Sequence, residues 1–151
     1  MSKHIYLHPA PFVFENGREL TDLQISYETC GELNADRIKV IWVCHALTDN
    51  ANVLDWWSGL FGTGELFDAN DYYIICANVI GSAYNSSNPL SVNPATGQPY
   101  YLSFPEFTVK DLVSAHQFLA SHLEINKIDI CSQKKKKLLQ LVLKGQSAKH
   151  I

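Results

Sequence analysis

No stretch of about 18 consecutive apolar residues occurs in this 151-residue chain, which argues against a membrane-spanning helix. The N-terminus, MSKHIYLHPAPF, lacks a basic start followed by an apolar segment and a small-residue cleavage site, so no secretory leader is expected. A soluble, cytoplasmic protein is the expectation. Close cysteine spacing is missing too. Cys30, Cys44, Cys76 and Cys131 contain no C-x-x-C, and three of them end or lie in apolar strand-like runs, where a reduced thiol behaves as a small buried hydrophobe. Neither a zinc site nor a disulfide framework follows, and no metal is expected. Acidic residues are absent from the last twenty positions. Residues 132–151 carry 6 Lys and no acid, whereas residues 1–131 carry 6 Lys/Arg against 15 Asp/Glu, so the net charge of −3 conceals halves of +6 and −9. The tail therefore differs in composition from the body, and the boundary falls between residues 131 and 132. What is present suits one globular domain: 46% of residues are hydrophobic and 11% aromatic.

Phe12 to Phe14 and Leu23 to Tyr27 are strand candidates flanking Glu15-Asn-Gly-Arg-Glu19, whose Asn-Gly pair predicts an antiparallel hairpin. Val40 to Cys44 and Tyr72 to Ala77 are apolar at consecutive rather than alternating positions. That pattern suits strands covered on both faces by helices, and it predicts a parallel α/β sheet. Thr108 precedes Val109-Lys-Asp111 as a cap, and Leu112, Val113, His116, Leu119 and Leu123 recur at helical spacing, predicting a helix from about Val109 to Leu123. Lys127 to Cys131 reads as another buried strand. In doubly wound sheets ligands and nucleophiles sit in the turn after such a strand, so chemistry is expected immediately after Cys131. GSAYNSSNPLSVNPATGQPYYLSF, residues 81–104, has no sustained period and reads as a long ordered loop packed on the domain.

The run Val40 to Asn50, VIWVCHALTDN, suggests a buried strand delivering a loop to an active site, and acyl transfer is the first hypothesis. In α/β-hydrolase folds the loop after the third strand supplies one oxyanion-hole N–H, and the second follows a Ser in a G-x-S-x-G elbow.

Five spaced motifs point to a family: Tyr27-Glu-Thr-Cys-Gly-Glu-Leu-Asn34, His45-Ala-Leu-Thr48, Asp55-Trp-Trp-Ser-Gly-Leu60, Cys76-Ala-Asn-Val79 and Asn93-Pro-Ala-Thr-Gly-Gln-Pro-Tyr100. Together, from roughly Phe12 to Cys131, they resemble the homoserine O-acetyltransferases of methionine biosynthesis. The resemblance implies the N-terminal half of an α/β-hydrolase fold. It also implies an enzyme that passes an acetyl group from acetyl-CoA to L-homoserine through an acyl-Ser intermediate, with relatives that use succinyl-CoA or accept serine. A Ser, His and Asp triad and two backbone donors carry such chemistry. The resemblance places Leu47 where the family provides an oxyanion-hole N–H. It further implies small-molecule substrates, a homodimer when complete, no bound cofactor, and neither nucleic acid nor membrane as partner.

The chain departs from the family at several points. Asp49 follows Thr48 where the family continues with Gly. The family has a Gly-Gly pair near Gly81-Ser82 and a Gly-Ser-Thr-Gly-Pro-like run at Asn85 to Pro89, where Asn preserves access to positive φ. After Cys131 the family's Gly-Gly-Ser-x-Gly-Gly elbow is replaced by Ser132-Gln-Lys-Lys-Lys-Lys137. No nucleophile Ser, triad Asp or triad His is assigned in this chain. Gly145-Gln-Ser-Ala-Lys149 lacks the final Gly and a following helix, so it is not read as an elbow. The expectation is a truncated or frame-shifted product, inactive alone, whose family sequence stops near Cys131. The alternative is a non-catalytic binding module using its basic tail. His45 reads as a structural histidine bonded to its loop, because in this chain order the triad His comes last. His116 reads as a partly buried packing residue. Trp56 and Trp57 read equally as packing or as an acyl or pantetheine channel. Gly62-Thr-Gly64 reads as a turn, because no strand precedes it. Lys134 to Lys137 read as a solvated run.

Overall fold

The computed structural model describes residues 1–46, 49–57 and 59–132. In chain order the elements are β1 (Ser2–Leu7), β2 (Phe12–Val13), β3 (Glu19–Leu20), β4 (Gln24–Cys30), β5 (Val40–Val43), α1 (Val53–Trp56), β6 (Tyr73–Ala77), β7 (Val92–Asn93), β8 (Gln98–Pro99), a 3-10 turn at Tyr101–Ser103, α2 (Val109–His122) and β9 (Ile128–Ser132). Five strands form the central sheet in the order β1-β4-β6-β5-β9. β1 with β4 and β4 with β6 run antiparallel, whereas β5 runs parallel to both β6 and β9.

The apolar runs explain the centre of this sheet. All four residues of β5 are buried, because alternate side chains enter two different cores. Val40 and Trp42 join Ile75, Ala77 and the α2 residues Val113, Ala115 and Leu119, with Phe12, Phe14 and Leu20 closing that side. Ile41 and Val43 join Ile74, Cys76, Ala51, Val53 and Phe61 on the opposite face.

The expected helix is present, and its start is fixed as the sequence predicts. The Thr108 hydroxyl accepts from the Asp111 backbone N–H, while Asp111 Oδ2 accepts from the Thr108 N–H at 2.7 Å. Asp111 Oδ1 also accepts from the Glu15 N–H at 2.9 Å, tying the helix start to the β2–β3 turn. The chain leaves the helix through Leu123 and Glu124, the latter at φ 55°.

Four expectations are corrected. The hairpin turns at Asn16-Gly17, with Gly17 at φ 79°, but β2 pairs with Glu19–Leu20 rather than with Leu23 to Tyr27. The turn is so tight that Phe14 N–H already reaches the Arg18 carbonyl at 2.9 Å, leaving β4 free to pair with β1 and β6. The sheet is mixed rather than wholly parallel. β1 is an additional strand, concealed in the sequence because only Tyr6 of its six residues is buried. Residues 81–104 are ordered against the domain as expected, yet they contain the β7–β8 hairpin and the 3-10 turn, with Tyr100 and Phe104 as buried anchors. α1 is a single short turn without a periodic signal. Among the described residues no helix is long and apolar enough to cross a membrane.

Candidate active site

The C-terminal ends of β5, β6 and β9 converge on one corner of the sheet. Val43 lies opposite Cys76 on one side and Ser132 on the other, so the three strands end side by side. From β5 the chain continues through Cys44, His45 and Ala46, and Asp49 N–H closes back on the Ala46 carbonyl at 3.0 Å. Leu47, the residue assigned the oxyanion-hole N–H, lies outside the described residues together with Thr48. So does the tail that holds Lys134 to Lys137 and Ser147.

His45 Nδ1 stands 2.7 Å from the Ala46 carbonyl. A carbonyl only accepts, so this nitrogen carries a proton and donates it to the bond. His116, on the inner face of α2, is buried more deeply than its place on the helix stripe suggests, at 4% exposure, rather than partly. Burial pushes its pKa down to about 4, the neighbouring His45 pushes in the same direction, and the Asn78 carbonyl opposes both. Its ring tilts at 45° against Trp42, with centroids 5.7 Å apart. Both imidazoles, Trp42 and Asn78 thus meet at this corner. Among the described residues, Trp42 Nε1, His45 Nε2, Asn78 Oδ1 and His116 Nε2 are buried atoms without a hydrogen-bond partner. The sequence singled out His45 and His116 separately; nothing in their spacing of 71 positions announces that they meet.

The long loop forms the adjoining wall. Ser86 Oγ donates to the Asn78 carbonyl at 2.9 Å and accepts from the Ser26 N–H at 3.1 Å. Ser87 Oγ accepts from the Gln24 N–H at 2.8 Å. These two buried serines supply partners to β4 backbone groups, which is a structural role. Asn85 occupies φ 61°, as its side chain type allows. Cys44 and Cys131 share a hydrogen bond. That contact and, after it, burial raise the Cys44 pKa; the same contact lowers that of Cys131, against the opposing effect of burial. Burial raises Cys76 to about 12.

Trp56-Trp57 and Gly62-Thr-Gly64 lie in the segment between β5 and β6. Trp56 and Trp57 pack at a tilt of 32° with centroids 5.1 Å apart and lead into Phe61 and the second core, with Trp56 Nε1 donating to the Asn50 carbonyl at 3.0 Å. In Gly62-Thr-Gly64 the Gly64 N–H is taken by the Asp68 carboxylate at 2.6 Å, so the segment is a turn. No group of three or more His, Cys, Asp or Glu suited to a metal occurs among the described residues.

No protein-family model matches the chain. The homoserine O-acetyltransferase of Cyclobacterium marinum is 45% identical over 129 residues, which is 85% of this chain and 37% of that protein. This chain is a homologue of the homoserine O-acetyltransferases. It spans about a third of the length of the curated relatives it matches. The crystal structure of homoserine O-acetyltransferase from Bacillus anthracis superposes with a TM-score of 0.74 at 32% identity, covering 86% of this chain and 39% of that one. The crystal structure of esterase E22 gives 0.79 at 26% identity, with coverage of 86% and 39%. The fold is therefore that of the α/β hydrolases, of which these five strands form one part.

Proposed function

We propose that residues 1–131 are the N-terminal half of a homoserine O-acetyltransferase domain and that residues 132–151 are a basic tail foreign to it. The observation that carries this reading is the position of β9. Its Ser132 lies opposite Val43, so β9 ends beside the end of the strand that leads into the His45 to Asp49 loop, in a homologue of acyl-transfer enzymes. In that scheme the nucleophilic Ser follows β9 directly and takes an acetyl group from acetyl-CoA, or a succinyl group from succinyl-CoA. L-Homoserine then accepts the acyl group. The Leu47 backbone N–H, together with the N–H after that Ser, holds the tetrahedral oxyanion, and His45, bonded through Nδ1 to the Ala46 carbonyl, keeps the loop in shape. The Ser, Asp and His belong to sequence beyond the matched third, so the 151-residue chain is inactive by itself. The complete enzyme works in cytoplasmic methionine biosynthesis as a homodimer, without nucleic-acid or membrane partners.

The test is acetyl-CoA and homoserine turnover by residues 1–151 beside a chimera in which residues after 131 are replaced by the corresponding part of a relative. Turnover confined to the chimera supports the reading. Turnover by the short chain overturns it, and Ser147 and Ser132 are then the first residues to mutate. Silence in both, with the chimera folded, also overturns it and favours the binding-module alternative. Translating the parent DNA past the Cys131 codon in the other two frames checks the tail: a Gly-Gly-Ser elbow there marks a frameshift.

A further inference from the structure

Among the described residues β9 pairs with β5, with Trp42 opposite Cys131 and Val43 opposite Ser132. Cys44, two positions beyond Trp42, stands diagonally across the ladder from Cys131. Both side chains pack into the core that α2 covers, where the two thiols touch through a hydrogen bond. Neither is in a disulfide. Their access differs: Cys44 is buried and Cys131 is half-buried. The other two cysteines, Cys30 and Cys76, pack on the opposite face of the sheet.

We propose that Cys44 and Cys131 form an oxidisable dithiol, a modification site at which a peroxide converts the pair to a disulfide across the β5–β9 ladder. Cys131 is the half that reacts first. It is the accessible sulfur, and the Cys44 S–H donated to it favours its thiolate, the nucleophilic form. The Cys131 sulfur attacks one peroxide oxygen, the O–O bond breaks, and one water leaves, giving a sulfenic acid. The Cys44 sulfur then attacks Cys131 Sγ. The S–S bond forms, the S–O bond breaks, and hydroxide departs with the Cys44 proton as a second water. Two electrons from two thiols thus reduce one peroxide to two waters.

Reach is the physical constraint. Diagonal neighbours in a sheet have Cα atoms about 7–8 Å apart. A disulfide spans up to about 6.8 Å. Closure therefore requires a small inward shift of β9. The β5–β9 pairing is already irregular in register between Val40 and Ile41, so the ladder accommodates local displacement. The bond ties the end of β9 to the strand that carries the His45 to Asp49 loop. This inference is independent of the acyltransferase reading, because it needs only the two strands described.

The experiment exposes the reduced, folded 151-residue chain to hydrogen peroxide, blocks remaining thiols with N-ethylmaleimide, and maps peptides by mass. The expected product is a peptide pair joining Cys44 to Cys131, short of two hydrogens and separated again by dithiothreitol, with Cys30 and Cys76 carrying maleimide. Cys30→Ser keeps the link. Cys44→Ser loses it and leaves a Cys131 sulfenate that dimedone traps. Recovery of Cys44 and Cys131 as maleimide adducts overturns the proposal. So does a link between Cys131 residues of two chains, or a Cys44–Cys131 link that forms equally well in urea. The comparison of native with urea-unfolded chain remains decisive should Cys44→Ser fail to fold.

Discussion

His116 shows how one residue converts burial into pH dependence. Its pKa falls from 6.5 to about 4 on folding, chiefly because burial penalises the charged ring. Between those two values the unfolded chain binds a proton that the folded chain does not. Stability is therefore complete above about pH 6.5 and drains away as pH falls towards 4, by up to about 3 kcal/mol. Urea midpoints measured across this window should fall with acidity, and His116→Phe should flatten the slope; an unchanged slope would refute the assignment. Gly31 makes a second residue-level prediction. At φ 80° a Cβ would collide with the carbonyl oxygens of Tyr72 and Ala69, which are backbone atoms with no freedom to yield. Gly31→Ala should cost more than the ~1–2 kcal/mol of left-handed backbone strain alone, read as a lowered denaturation midpoint. Gly31 belongs to one of the motifs on which the family resemblance rests, and its role is to let the chain turn closely after β4. Asn34 does similar work, its Oδ1 accepting from the Ile38 N–H at 2.9 Å. Motif residues were legible as motifs; whether each serves chemistry or geometry depended on neighbours distant in sequence.

Among the elements, α2 was the most legible because its signals are local. A capping box and an apolar stripe lie within sixteen consecutive residues and need no partner to be recognised. Thr108→Ala should destabilise the protein by about 0.5–2 kcal/mol, and Leu119→Ala, wholly buried beneath the helix, by about 2–5 kcal/mol, both measurable by equilibrium unfolding. β5, β6 and β9 were visible from hydrophobic continuity. β1 was not, because an edge strand with exposed Ile5 and Leu7 carries no clean alternation. The hairpin illustrates the same limit from another side: Asn-Gly located the turn, but which residues pair across it followed from β4 being claimed by β1 and β6.

At the scale of the molecule, the described sheet ends at β9, an edge strand rich in apolar residues with β5 as its neighbour among the described residues. Such an edge is a template for pairing with other chains. The 151-residue chain should aggregate or fold poorly when produced alone. A soluble monomer with a sharp cooperative thermal transition would refute that expectation. The sequence alone determined the two-sided burial of β5 and β6, the capped helix, the turn at Asn16-Gly17 and the family likeness. Each rests on short-range pattern or ordered motifs that survive without knowledge of the fold. Tertiary structure alone decided the strand order, the burial of His116 against Trp42 and near His45, and the contact between Cys44 and Cys131. Those follow from parallel pairing of β5 with a strand some ninety residues later in the chain, and no local periodicity encodes which distant strand will lie alongside.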